Sequence, residues 1–409
     1  MHTKVLAILP LRRLTAGLFL FLLGLMTMGS VATAQPSFPG VPDGPSINLR
    51  VYPSDVWTPR VGPGIGVGLV GHGLVRPHDQ WLLTAAPALH EQVATASFAS
   101  ANPQAATRYV LVGGRGLHTD ADWLGPADRR TVLARSSAQL RLRAGQHLLN
   151  QRLLLQPHLA LSHDRVDAVD RPGNGNPEFD EALPAANSRQ TGLRIGMDVQ
   201  FDARDAAPAP TRGLLLQGTW TRYAPLDGTD LSFDQVDLDA SGYAPLGGRH
   251  RLALRLSTTL TRPRGDAPVP TYMLPTVGGT VVPGWSRGRF VAPDRLLASA
   301  LYRFPLLHYE RLAAIDGHVG AHLAGAYDRI GEQFAADVSF EDDVSLSSGD
   351  RPLRPSASVG LRFAMPRRDH VSLELAVGVS PEGVSAVRFS LTRALQALRP
   401  PHHTSANVR

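Results

Sequence analysis

The sequence contains no cysteine, which removes disulfide scaffolds, thiolate metal sites and thiol nucleophiles together. Lysine occurs only at Lys4, so nearly all positive charge is arginine, scattered singly along the chain rather than gathered into a basic patch. Long apolar runs are missing too. Beyond the N-terminal segment no stretch approaches the ~20 apolar residues a spanning helix needs, which excludes a multi-helix membrane protein. With 43% hydrophobic and 19% charged residues, the 409-residue chain has too much apolar material to be disordered.

What is present begins with an export signal. Lys4, Arg12 and Arg13 precede an apolar run from Leu18 to Met26, and Ala32-Thr33-Ala34 follows as a small-x-small cleavage site. Residues 1–34 are therefore read as a signal peptide, with cleavage after Ala34 and residence in the outer membrane of a Gram-negative-type cell. Removing three basic residues from a chain of formal charge +6 leaves the mature protein nearly neutral, so its net charge makes no case for a nucleic-acid partner.

The dominant pattern downstream has a period of two, which sends successive side chains to opposite faces of a strand. From Leu193 to Asp202, apolar residues alternate with Arg194, Gly196, Asp198, Gln200 and Asp202. The same split recurs at 252–256, 358–365, 371–379 and 387–392. Many of these segments approach the 9–11 residues of a tilted membrane strand, longer than the five or six usual in soluble sheets. Short links such as Gly247-Gly248 and Arg367-Arg368-Asp369 alternate with long polar segments near 164–190, 263–293 and 328–353, the turn-and-loop rhythm of a membrane barrel. At roughly 23 residues per strand and connection, sixteen strands fill the exported chain. The expected fold is all-β: a transmembrane antiparallel β-barrel over residues 35–393, with a polar tail over 394–409.

Candidate chemistry weighs little against this pattern. Gly284-Trp285-Ser286-Arg287-Gly288 formally matches a nucleophile elbow, yet Pro283 and Pro293 flank it and the strand–helix alternation of a hydrolase occurs nowhere. The fifteen histidines show no ligand spacing. The reading is no enzyme, no cofactor and no metal. Arg141, Arg143, Arg194, Asp198, Arg255, Arg362, Glu374 and Arg388 are expected to face a water-filled lumen.

One stretch resembles a known family. Leu274-Pro275-Thr276-Val277-Gly278-Gly279, then Pro283-Gly284-Trp285-Ser286-Arg287-Gly288-Arg289-Phe290, then a strand closing on Tyr302-Arg303-Phe304-Pro305, is similar to the bacterial surface antigen family, the barrel of BamA/TamA-like outer-membrane assembly factors. The strands at 360–363, 373–376 and 388–391 fit as well. The resemblance implies a loop around 278–292 folded into the lumen, with Gly278, Gly279, Gly284, Trp285, Arg287, Gly288, Arg289 and Phe290 as its motif. It also implies a barrel that inserts or passes unfolded outer-membrane or secreted proteins, surrounded by outer-membrane lipid and aided by a separate periplasmic partner, since 375 residues committed to strands leave no room for POTRA domains. The alternative is a porin-like or structural barrel without clients. Two positions depart from the family. Pro283 stands where an arginine pins the loop to the wall, and its carboxylate partner is missing from His322-Leu323-Ala324-Gly325-Ala326. Arg287 or Arg289 is left to substitute, with Glu374 or Asp328 as acceptor and Arg362 among the lumen charge partners. At the seam, a strand bearing Gly64, Gly66 and Gly68 is expected to pair weakly with the closing strand 384–393, with the tail dispensable.

Overall fold

The computed structural model describes residues 46–53, 65–72, 80–87, 91–101, 108–124, 131–150, 152–170, 188–205, 210–279, 282–286, 288–309, 313–340, 351–365 and 371–391, with isolated positions between 181 and 187. The signal segment, Gly64, Arg287 and the tail lie outside the described residues.

In chain order the strands are β1 (Ser46–Pro53), β2 (Ile65–His72), β3 (Gln80–Pro87), β4 (Glu91–Ala101), β5 (Arg108–Leu124), β6 (Thr131–Leu148), β7 (Leu153–Asp170), β8 (Ser188–Asp202), β9 (Gly213–Pro225), β10 (Phe233–Pro245) and β11 (Arg251–Pro263). A two-strand ribbon follows, β12 (Thr276–Val277) and β13 (Phe290–Val291). The remainder are β14 (Asp294–Tyr309), β15 (Ala313–Tyr327), the short β16 (Phe334–Val338), β17 (Arg351–Met365), β18 (Val371–Ser380) and β19 (Gly383–Leu391). Leaving aside the ribbon and β16, which runs parallel beside β17, sixteen strands form one antiparallel meander in which each pairs with its sequence neighbours. This is the antiparallel barrel expected, with the expected strand number.

Its polarity is inverted relative to a soluble sandwich. Leu142, Leu159 and Ile195, opposite one another on β6, β7 and β8, are 45%, 41% and 47% exposed. Met197, Trp220, Leu238, Leu254, Leu256, Val319 and Val359 share that outward face. The inner face holds His158, Thr221, Thr259, His318, His322, Ser358 and Arg362, all buried. Each large apolar side chain left in water forgoes about 1.5–3 kcal/mol, and a belt of them would exceed the whole ~5–15 kcal/mol stability of a domain. Lipid is the solvent that makes this surface stable. Leu159→Arg should therefore cost about 2–4 kcal/mol when folding from urea into bilayers is titrated, whereas the inward Gln200→Arg should cost close to nothing.

One expectation is corrected at the start of the sheet. The glycine strand is β2, whose Gly66 and Gly68 face Tyr52 and Arg50 of β1. The first strand is β1, so the glycines flank an interior pairing and not the seam. The closing strand is β19, paired with β18.

Connections divide the two ends as the sequence implied. Tight links join β6 to β7, β10 to β11 and β14 to β15, while the 264–293 and 328–350 segments leave from the opposite end. The shortest link at that end joins β18 to β19, a hairpin turn at Pro381 and Glu382.

Candidate functional site, a loop latched across the lumen

Between β11 and β14 the chain leaves the wall and turns inward. Val269, Met273 and Leu274 pack with Tyr223, Leu231 and Phe233 of the β9–β10 region. Tyr272 crosses to the next wall segment, packing with Leu133, Val166 and Leu183. Its hydroxyl donates to Gln190 Oε1, Arg135 stacks over its ring at 5.4 Å, and Arg135 also donates to its carbonyl at 3.5 Å. Burial raises the pKa of the Tyr272 hydroxyl, so it keeps its proton and remains a donor. Tyr272→Phe should cost about 1 kcal/mol in a urea titration, the worth of one neutral hydrogen bond.

The neck of the loop is the β12–β13 ribbon. Gly278, at φ +113°, closes it: a Cβ there would overlap the Ser286 carbonyl, so only glycine fits. Gly279 N–H donates to the Trp285 carbonyl at 2.7 Å, and Gly288 turns the chain back at φ +70°. Above the neck, Val277, Val282, Trp285 and Phe290 bury themselves against Leu297 of β14 and Ala324 of β15. Trp285 is fully buried and meets Phe290 edge to face at 5.1 Å, and Arg354 of β17 covers the Phe290 ring at 5.1 Å.

Ala324, where the resemblance implies an acidic residue, is 1% exposed inside this apolar cluster. Relative to the ion pair that the resemblance implies, Pro283 and Ala324 exchange charge for packing. Such an exchange is neutral or favourable, because apolar groups of similar volume need no desolvation of ions.

The tip of the loop then reaches β17 and β18. Gly284, at φ +105°, rests on Gly378 so closely that a Cβ on the wall glycine would overlap the Gly284 backbone nitrogen. Ser380 Oγ donates to the Gly284 carbonyl at 2.8 Å. In the adjoining turn, Glu382 accepts from Ser286 N–H at 2.9 Å and Ser286 Oγ at 3.0 Å. Arg289, 3% exposed, places Nε 3.7 Å from the same carboxylate. One segment therefore touches β6–β8 through Tyr272 and β17–β18 through Gly284 and Ser286, and so spans the lumen.

Of the sequence-predicted motif, Gly278, Gly279, Gly284, Trp285, Gly288, Arg289 and Phe290 come together in this seat, and Arg287 lies outside the described residues. Of the acceptors expected for Arg289, the Glu374 side chain lies outside the described residues, and the carboxylate found beside Arg289 is Glu382. Asp328 is held by Arg351 of β17 at 2.5 Å, twenty-three positions along the chain. Arg362 is buried on the lumen face between the register positions of Asp316 and Glu374. His322 bridges Ser299 and Ser358 hydroxyls, both at 2.9 Å. Ser286 is followed by a turn and the β13 strand rather than a helix, so the elbow-like string has no strand-to-helix geometry. Sequence reading missed Ser380 and Glu382. Their signal is slight: a polar Ser-Pro-Glu-Gly turn at the shortest link of this end.

Comparison with known proteins agrees with this geometry. The description of the Omp85 superfamily domain matches residues 127–390. Among solved structures, BamA from Haemophilus ducreyi lacking POTRA domains 1–3 is similar at a TM-score of 0.60 and 13% identity, over 92% of this chain and 76% of that one. CdiB from Escherichia coli is similar at 0.55 and 12%, over 88% of this chain and 62% of its own length. CdiB from Acinetobacter baumannii is similar at 0.51 and 9%, over 85% and 66%. At these identities the likeness is one of fold. No curated protein matches the chain.

Proposed function

This chain belongs to the Omp85 superfamily, and from that premise we propose that it is an outer-membrane barrel that inserts client proteins into the membrane or passes them across it. The observation carrying the reading is the loop that spans the lumen from Tyr272 to Ser286 and is held on Glu382. A porin needs a continuous water path, and a loop seated by a buried Trp285 and Phe290 obstructs one. A client machine needs a lumen closed at rest. In this reading clients are unfolded outer-membrane or secreted proteins, collected by a separate periplasmic partner, and Ser286 is a structural loop residue without catalytic work. Export by cleavage after Ala34 belongs to the same proposal, and N-terminal sequencing of the mature protein should begin at Gln35.

The test is reconstitution. In lipid vesicles, the purified barrel should accelerate membrane insertion or passage of an unfolded client at least severalfold over protein-free vesicles, while conducting little current in planar bilayers. Steady conductance by the wild-type barrel without any acceleration would favour the porin-like reading instead.

A further inference from the structure

Behind the loop, on the wall opposite its tip, lies a cavity of about 230 Å³ lined by β5, β6, β7, β8 and Tyr272. Among the described residues its lining carries more guanidinium groups than carboxylates. Arg115, Arg135 and Arg194 line it against a single carboxylate, Asp164. A fourth guanidinium adjoins: Arg141 and Arg194 are both register partners of Ala160, and Arg141 donates to the lining Gln139 at 3.1 Å.

Arginines elsewhere in this barrel are matched differently. Arg222 and Arg255 hold Asp234 and Asp239 at 2.8 and 2.5 Å, Arg351 holds Asp328 at 2.5 Å, and Arg262 holds Asp294. In the cavity, Arg194 lies over the Tyr223 ring at 5.4 Å and its buried Nε has no hydrogen-bond acceptor among the described residues. Neither Arg115 nor Arg194 has an aspartate or glutamate within ion-pair distance among those residues. Several like charges share this space, each repelling the next, with Ser137 on the same surface, while the Ser162 hydroxyl donates to the Gly192 carbonyl at 3.3 Å.

We propose that this cavity is a binding site for a phosphate-type oxyanion. The guanidinium fork presents paired N–H donors at the spacing of two oxygens on such a group, and a tetrahedral oxyanion engages donors from several strands at once. A cavity of this volume admits a phosphoryl group with part of its hydration shell. Free phosphate and the phosphoryl group of a lipid headgroup share this chemistry. Because Arg135 also contacts the Tyr272 carbonyl and ring, a bound oxyanion joins the wall to the root of the loop and rigidifies it. This proposal does not depend on whether the barrel handles clients.

The experiment titrates the full-length purified barrel, in a neutral phosphate-free detergent at constant ionic strength, with inorganic phosphate and separately with short-chain phosphatidylglycerol. Binding is followed by calorimetry, and amide exchange at residues 270–275 by mass spectrometry. Saturable binding of phosphate identifies the free anion, and saturable binding of the lipid alone identifies a headgroup; either supports the site provided Arg194→Gln and Arg115→Gln each weaken it roughly tenfold or more, the effect of losing one charged hydrogen bond. Arg255→Gln, on the lumen wall but outside the cavity, should change affinity less than twofold. Slower exchange at 270–275 on binding is expected in the wild type. No saturable binding of either compound, or equal weakening by Arg255→Gln, overturns the proposal.

Discussion

Replacing Glu382 by alanine should release the loop and turn a quiet barrel into a conducting one. The substitution removes at once the acceptor of the Ser286 N–H and of the Ser286 hydroxyl, and the carboxylate 3.7 Å from Arg289. The two Ser286 hydrogen bonds end on a charged group and contribute about 1.5–3 kcal/mol each. The pair at 3.7 Å is loose and Glu382 is partly solvated, so the lower end of that range is expected in a urea titration. The apolar seat of Trp285 and Phe290 persists, contributing about 1.5–3 kcal/mol per large side chain, so the loop should exchange between seated and released states. Single-channel recording should then show frequent openings absent from the wild type. Glu382→Gln keeps one acceptor, for the Ser286 N–H, while its amide N–H can donate to Ser286 Oγ, and it should show an intermediate opening frequency. An unchanged trace for Glu382→Ala would mean that packing alone holds the loop.

Gly378→Val should reach the same open state by another route, leaving every charge in place. A Cβ at Gly378 overlaps the backbone of Pro283 and Gly284, and backbone cannot swing aside as a flexible side chain can. Overpacking of this kind costs about 1–3 kcal/mol or more, and here the clash is relieved by expelling the loop tip. The strand itself tolerates the change, since β-branched residues suit extended backbone. Because both substitutions act by unseating one loop, their effects on opening should fall well short of adding in the double variant. Gly242→Ala is the control: nothing lies within 4 Å of a Cβ there, and conductance should stay at the wild-type level. Additive effects would place the two changes in separate mechanisms.

The barrel is legible in the sequence because its physics is local. Alternation at 193–202 falls within β8, and alternation at 371–379 coincides with β18 but for its last residue. A lipid-facing strand must repeat the same choice every second residue, and that repetition needs no knowledge of neighbours. The loop motif is legible for a related reason: Gly278, Gly284 and Gly288 occupy left-handed backbone, which restricts residue choice wherever the loop sits. The loop's partner is not. Ser286 and Glu382 are ninety-six positions apart, and no period or spacing reveals which turn of a barrel stands beside an inward loop. Glu374 and Asp328 were the nearer acidic candidates, yet Arg351 across the neighbouring strand claims Asp328. The first strand escaped for the opposite reason. Ile47, Leu49 and Val51 do alternate in β1, but the segment is only eight residues long and bounded by Pro45 and Pro53, and prolines at both ends mimic a linker. Packing that replaces charge, as Ala324 does beside Trp285, is visible in sequence only as two absences.

The absence of native cysteine permits one direct measurement of whether this loop is the gate. With Ser286→Cys and Glu382→Cys in one chain, a short cleavable bismaleimide can restore by covalent linkage the contact that the substitutions remove. Planar-bilayer recording before linkage, after linkage and after cleavage of the linker should give openings, silence and openings again. The same current in all three states would contradict a lumen closed by the 278–292 loop.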